Sequence, residues 1–179
     1  MNSMILAGLT LFSLILGPLP RALHHTPAQA PLSGQQGKET PRQPDAGGDL
    51  AEFREEAEEG IKHVLVSQVE AWNHGNLPGY MNGYWHSAEL VFFSGATVTK
   101  GWEPTLERYQ LRYNGPGKEM GKLEFSELHI DLLSRRAAVV TGQWELTMSD
   151  GKKPHGLFTL IFKKMPGGWK IVHDHTSGA

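Results

Sequence analysis

Apolar and polar positions along this chain change period in a way that marks out its elements. Phe53, Ala57, Ile61, Val64, Leu65, Val69 and Trp72 recur three or four residues apart, which places them on one face of a helix. Asp49 with Glu52 forms a capping-box-like start, and Gly75 supplies the stop. Glu55, Glu56, Glu58 and Glu59 fall on the outer, solvated face, with Lys62 one turn beyond Glu58. A second helix is predicted over 77–85, with Tyr80, Met81, Tyr84 and Trp85 as its apolar side and with Gly79 and Gly83 weakening it. Residues 89–95 and 96–100 read as two short strands. Trp102, Leu106, Tyr109 and Tyr113 then predict a third helix, ended by Gly115-Pro116.

Four long β segments follow, over 122–134, 136–149, 155–164 and 169–176. Asp150-Gly151 joins the second to the third, and Pro166-Gly167-Gly168 separates the third from the last, both hairpin signals. Leu123 and Phe125 share one parity, whereas Leu128, Ile130 and Leu132 share the other. A bulge near residues 126–127 reconciles the phases and bends the sheet. The order predicts an α+β domain with helices packed on one face of a curved antiparallel sheet.

The first part of the chain carries no such pattern. Residues 4–17 (MILAGLTLFSLILG) hold no charge, are too short for a comfortable membrane span, and suit the apolar region of a signal peptide. Ala28-Gln29-Ala30 supplies a small-residue cleavage pattern. Residues 1–30 are therefore expected to be a signal peptide or an uncleaved N-terminal anchor, making the protein periplasmic or secreted. No membrane contact is expected beyond that segment. Residues 31–48, rich in Pro, Gly and Gln, are expected to form a disordered linker, because they cannot bury enough apolar surface to offset their ordering entropy. Residues 49–179 are expected to fold as one domain.

Composition narrows the chemistry. The chain has no cysteine, which excludes disulfides, thiolate metal sites and a Cys nucleophile. Seventeen Lys and Arg against 19 Asp and Glu leave a net charge of −2, with no broad basic footprint for nucleic acid. Gly115-Pro116-Gly117 and Gly121-Lys122 lack the spacing of a phosphate loop, and no nucleophile-elbow motif occurs. His173 and His175 share a strand face, but no third ligand accompanies them, so no metal is expected. No cofactor is expected either.

Three stretches carry a resemblance: AWNHGN closing the first helix, GYWHSAELVFFSG after it, and GGWKIVHDHTSGA near residue 179. They resemble the nuclear transport factor 2-like superfamily, most nearly its SnoaL-like and domain-of-unknown-function 4440 group. That group is related to the association domain of calcium/calmodulin-dependent protein kinase II, whose final strand carries a similar W-x-I-V-H-x-H-x-S-G-A run. The likeness spans residues 50–179. It implies a cone-shaped fold with three N-terminal helices packed on a strongly curved antiparallel sheet. Superfamily members include isomerases, cyclases, dehydratases, binders and oligomerisation hubs, so the fold alone does not give the activity.

The resemblance also tests particular activities. Ketosteroid-type isomerases carry a base Asp after the second helix and a Tyr on the first. The matching positions here are the carboxylate-free Phe92-Phe93-Ser94 and Gln68, so that activity is not expected. The kinase hub's two pocket arginines align with Leu160 and Thr176, which disfavours a carboxylate bound as in the hub. If Thr176 faces the pocket, strand alternation turns Asp174 and Val172 inward, with Leu160 and Phe162 beside them. Trp169, Ile171, His173 and His175 then face outward, where they would pair two copies as a homodimer through the sheet face.

The expected pocket is aromatic, drawn from Trp72, Tyr84, Trp85, Tyr109, Tyr113, Trp144 and Phe162, with Thr176 and Asp174 as polar groups. Asp174, a carboxylate on a mostly apolar strand, must be hydrogen-bonded, paired or raised in pKa. Three readings stay open: a binder of a small apolar or aromatic molecule, a cofactor-free isomerase, cyclase or hydrolase with Asp174 as acid–base, and an association domain without catalysis.

Overall fold

The computed structural model describes residues 46–178, so the expected signal peptide and most of the linker lie outside the described residues. Helix α1 runs over Ala46–Asn73, α2 over Leu77–Met81, strand β1 over Val91–Ser94, β2 over Thr97–Lys100 and α3 over Trp102–Tyr113. Four long strands follow: β3 over Lys122–Ser134, β4 over Ala137–Thr147, β5 over His155–Met165 and β6 over Gly168–Thr176. They form one six-stranded sheet in the order β2-β1-β6-β5-β4-β3. All neighbours are antiparallel except β1 and β6, which run parallel, so the sheet is not the purely antiparallel one expected.

The helix predicted from periodicity buries four residues of the stripe that periodicity marks and adds Gln68 to them, while Phe53, Val64 and Val69 are partly buried against the core. Ala57, Ile61, Leu65, Gln68 and Trp72 are all buried, at spacings of four, four, three and four residues. The apolar four, Ala57, Ile61, Leu65 and Trp72, pack with Leu146, Phe162, Trp169 and Ile171 in the core cluster. Each fully buried large side chain contributes about 1.5–3 kcal/mol relative to exposure. The end of α1 is tied to the sheet by Asn73, whose Nδ2 donates to the Leu123 carbonyl at 3.1 Å while its Oδ1 accepts from the Leu123 N–H at 2.7 Å. One side-chain amide thus satisfies both backbone groups of a strand residue.

Helix α2 is shorter than expected. Asn76 caps it by accepting from the Gly79 N–H at 2.8 Å. Past Met81 the chain straightens, and Tyr84 forms a single parallel bridge to Ile171. Extended backbone alternates its side chains, so Tyr84 turns into the core while Trp85 turns away from it. Gly83 permits this route, because a Cβ there would stand 2.6 Å from the Gln68 side chain. Helix α3 is tied to α2 by the Trp102 indole N–H, which donates to the Met81 carbonyl at 2.9 Å, and its own first turn is closed by buried Thr105, which donates to the Gly101 carbonyl at 2.7 Å.

The sheet bends where register slips. The expected bulge in β3 is present between Ser126 and His129, with Glu127 at a φ of 50°. Two further slips were not foreseen: one between Leu132 and Ser134 near the end of β3, and one between β5 and β6, where Ile161 pairs with His173 but Phe162 pairs with Ile171. Val172 is the extra residue, and parity inverts across it. Trp169 and Ile171 therefore point inward, buried in the core, and not outward as expected. On the far side of the bulge, Asp174 faces inward, buried, and His175 faces outward, exposed, as the alternation predicted.

Candidate functional site

The concave face of the sheet and the three helices enclose a cavity of about 390 Å³. Its inner end is made by buried Gln68, Tyr80, Tyr84, Leu160 and Asp174. Its mouth is made by exposed or half-buried Gly95, Arg108, Arg112, Trp144 and Gly178. The last residues of the chain reach this rim because the Ser177 N–H donates to the Leu157 carbonyl and the Ser177 carbonyl accepts from the Trp144 indole at 3.0 Å. Gly156 makes room for that path, since a Cβ there would lie 1.9 Å from the Ser177 carbonyl oxygen.

Aromatic rings line the wall. Trp72 stands edge-on to Tyr80, Tyr109 and Tyr113, with ring centres 5.1, 6.0 and 4.8 Å away. Tyr109 stacks on Phe92 at 5.6 Å. The Trp72 indole N–H is held by the Met120 and Gly121 carbonyls, so its ring is fixed in orientation. Such edge and offset contacts are the favourable geometries for rings.

Asp174 sits at the inner end, 3% exposed. Its Oδ2 accepts from the Tyr84 hydroxyl at 2.7 Å and its Oδ1 from the Thr176 hydroxyl at 2.9 Å. The Tyr80 hydroxyl lies 3.5 Å from that of Tyr84 and extends the network. None of the ion pairs among the described residues includes Asp174. Burial raises its pKa to about 6, and the two hydroxyl donors only partly oppose that shift. Tyr80, Tyr84 and Tyr109 are pushed well above the ordinary tyrosine range, first by burial; the Asp174 carboxylate comes next for Tyr80 and Tyr84, and for Tyr109 it follows the neighbouring Tyr80. They are neutral hydrogen-bond donors at any physiological pH. A buried carboxyl that is half ionised near pH 6 can accept a proton from a bound molecule and return it, or can accept a hydrogen bond that fixes a ligand's orientation.

The structure brings Trp72, Tyr84, Tyr109, Tyr113, Trp144, Asp174 and Thr176 together around this cavity. Two expected members stand elsewhere. Trp85 lines a shallow surface depression with Asn82 and Lys170, because it alternates with inward-facing Tyr84. Phe162 shares a sheet face with Phe158 and Leu160, but lies further from the mouth, where the core has no room left and the side chain is fully buried. Gln68, Tyr80, Phe92, Arg108 and Arg112 also line the cavity and were not foreseen. Tyr80 had a legible signal, lying one helical turn before Tyr84. The arginines flank Tyr109 and Tyr113 in sequence, yet a charge on a helix reads first as a solvated face. Among the described residues, no three His, Asp or Glu side chains stand close enough to hold a metal ion.

Helices cupped against a six-stranded curved sheet, with a cavity between them, define the nuclear transport factor 2-like class. Within it, the chain belongs to the SnoaL-like domain family, whose pattern matches residues 61–179. A nuclear transport factor 2-like protein of unknown function from Shewanella oneidensis is 39% identical, with a TM-score of 0.62, covering 66% of this chain and 97% of that one. A calcium/calmodulin-dependent protein kinase II association-domain-like structure from Xanthomonas campestris is 19% identical, with a TM-score of 0.51 over 66% of this chain and 85% of that one. A ketosteroid isomerase-like protein from Erwinia carotovora is 18% identical, with a TM-score of 0.53 over 66% and 92%. The last two show a shared fold. Among curated proteins, none matches the chain.

Proposed function

We propose that this domain binds a small apolar or aromatic molecule in the cavity. The observation that carries this reading is a buried, hydroxyl-bonded carboxylate at the inner end of an aromatic-walled cleft, the construction small-molecule sites generally have. The test is a thermal-shift screen of ring-bearing small molecules on the full chain and on Leu160→Trp, which fills the inner end. Ligands that stabilise the wild type and not the variant support the reading, and a screen with no such ligand refutes it.

A second reading is a cofactor-free isomerase, cyclase or hydrolase in which Asp174 moves the proton. A carboxyl titrating near 6 favours it, since a general base works best with a pKa close to the working pH. The third reading, an association domain without catalysis, places the function on the outer sheet face. That face carries Phe93, His173 and His175, with Leu157 and Val98 59% and 54% exposed beside them. We infer a homodimer through this face, a surface revised from the expected one because Trp169 and Ile171 are core. We also propose that the small-molecule-binding domain is exported to the periplasm or beyond through residues 1–30, acting as a signal peptide or an uncleaved anchor.

A further inference from the structure

Two guanidinium groups stand at the cavity mouth, and among the described residues neither is paired with a carboxylate. Arg108 and Arg112 lie one turn apart on α3, and both line the cavity. Arg108 donates to the Thr99 hydroxyl at 3.1 Å and lies 5.3 Å from the Phe92 ring centre. Arg112 donates through Nε to the Tyr113 hydroxyl at 3.1 Å and lies 5.4 Å from that ring's centre. Both planes thus rest against aromatic walls of the cavity. A guanidinium carries five N–H donors, so most remain available in each. Like charges one turn apart on a helix repel, and an anion seated between them removes that repulsion.

The two ends of the cavity therefore differ in sign. At the inner end the Asp174 carboxylate would repel a second anion, while the mouth offers two cations in the fork geometry that matches a carboxylate. Resting on the reading of the cavity as a small-molecule site, we propose that its ligand is an amphipathic carboxylate. Its ring-bearing body lies among Trp72, Tyr109 and Phe158, and its carboxylate is held by Arg108 and Arg112 at the mouth.

Calorimetric titration of the full chain with 2-naphthoate and with its neutral amide tests this. The carboxylate is expected to bind about ten-fold or more tighter than the amide, the difference charge-assisted hydrogen bonds supply. Arg112→Gln and Arg108→Gln are each expected to remove most of that advantage and to leave amide binding within about two-fold. Equal binding of the two probes to the wild type would overturn the proposal while leaving the cavity reading standing. So would an equal loss of both probes in the arginine variants, with the fold checked by thermal unfolding. Failure of both probes to bind would overturn this proposal, while the cavity reading stands or falls on the broader stabilisation screen.

Discussion

Replacing Asp174 by Asn isolates the energetic consequence of burying an ionisable group in this cleft. The carboxyl's pKa rises from 3.8 to about 6 on folding, chiefly because burial disfavours its charged form. Between those values the folded chain keeps a proton that the unfolded chain has lost, so folding stability falls as pH rises through the interval. The stability is fully present below about pH 4 and is lost once pH passes about 6. A span of about two pH units at 1.36 kcal/mol each amounts to about 3 kcal/mol. Asn cannot ionise, and its amide can still accept from one hydroxyl and donate to the other. Subtracting the variant's unfolding free energy from that of the wild type cancels the titration of groups remote from position 174. Urea unfolding from about pH 4 to about pH 8 should therefore show the difference falling by about 3 kcal/mol in favour of the variant. A flat difference would mean that burial leaves the carboxyl's pKa unshifted, and one that grows with pH would mean that the fold stabilises the anion; either result excludes a raised pKa at Asp174.

Two further outcomes follow from the surface and from the start of the chain. Light scattering should give twice the chain mass, and Leu157→Lys together with Phe93→Glu should shift it to one chain mass by placing charges on the outer sheet face; a wild-type monomer at micromolar concentration contradicts the dimer. Fractionation of expressing cells should recover the chain outside the cytosol, and intact protein beginning at Met1 in the cytosol contradicts export.

Much of the fold was legible because it rests on periods that survive in sequence. The stripe of α1 and the β3 bulge were both visible, the latter because Phe125 and Leu128 break alternation. The bulge at Val172 was not, because Ile171 and Val172 are both apolar and a slip between them leaves no break in the pattern. That single residue decides whether Trp169 is an interface or core. Helix α2 was overextended for a related reason. Tyr80 and Tyr84 suit a helical face, yet Tyr84 reaches the same interior from an extended segment bridged to Ile171. At the site, the residues that repeat a pattern were found. Arg108 and Arg112 were not, since their role depends on which helix face meets the cavity mouth.

The cleft beneath Asp174 is proposed to hold a small molecule. A crystal structure of the full chain with a ligand from the stabilisation screen tests it most directly. The ligand is expected among Trp72, Tyr109 and Phe158, with a polar atom within hydrogen-bonding distance of Asp174 or its Tyr84 and Thr176 partners. A ligand bound elsewhere, with those rings closed over the inner end of the cavity, would contradict the account.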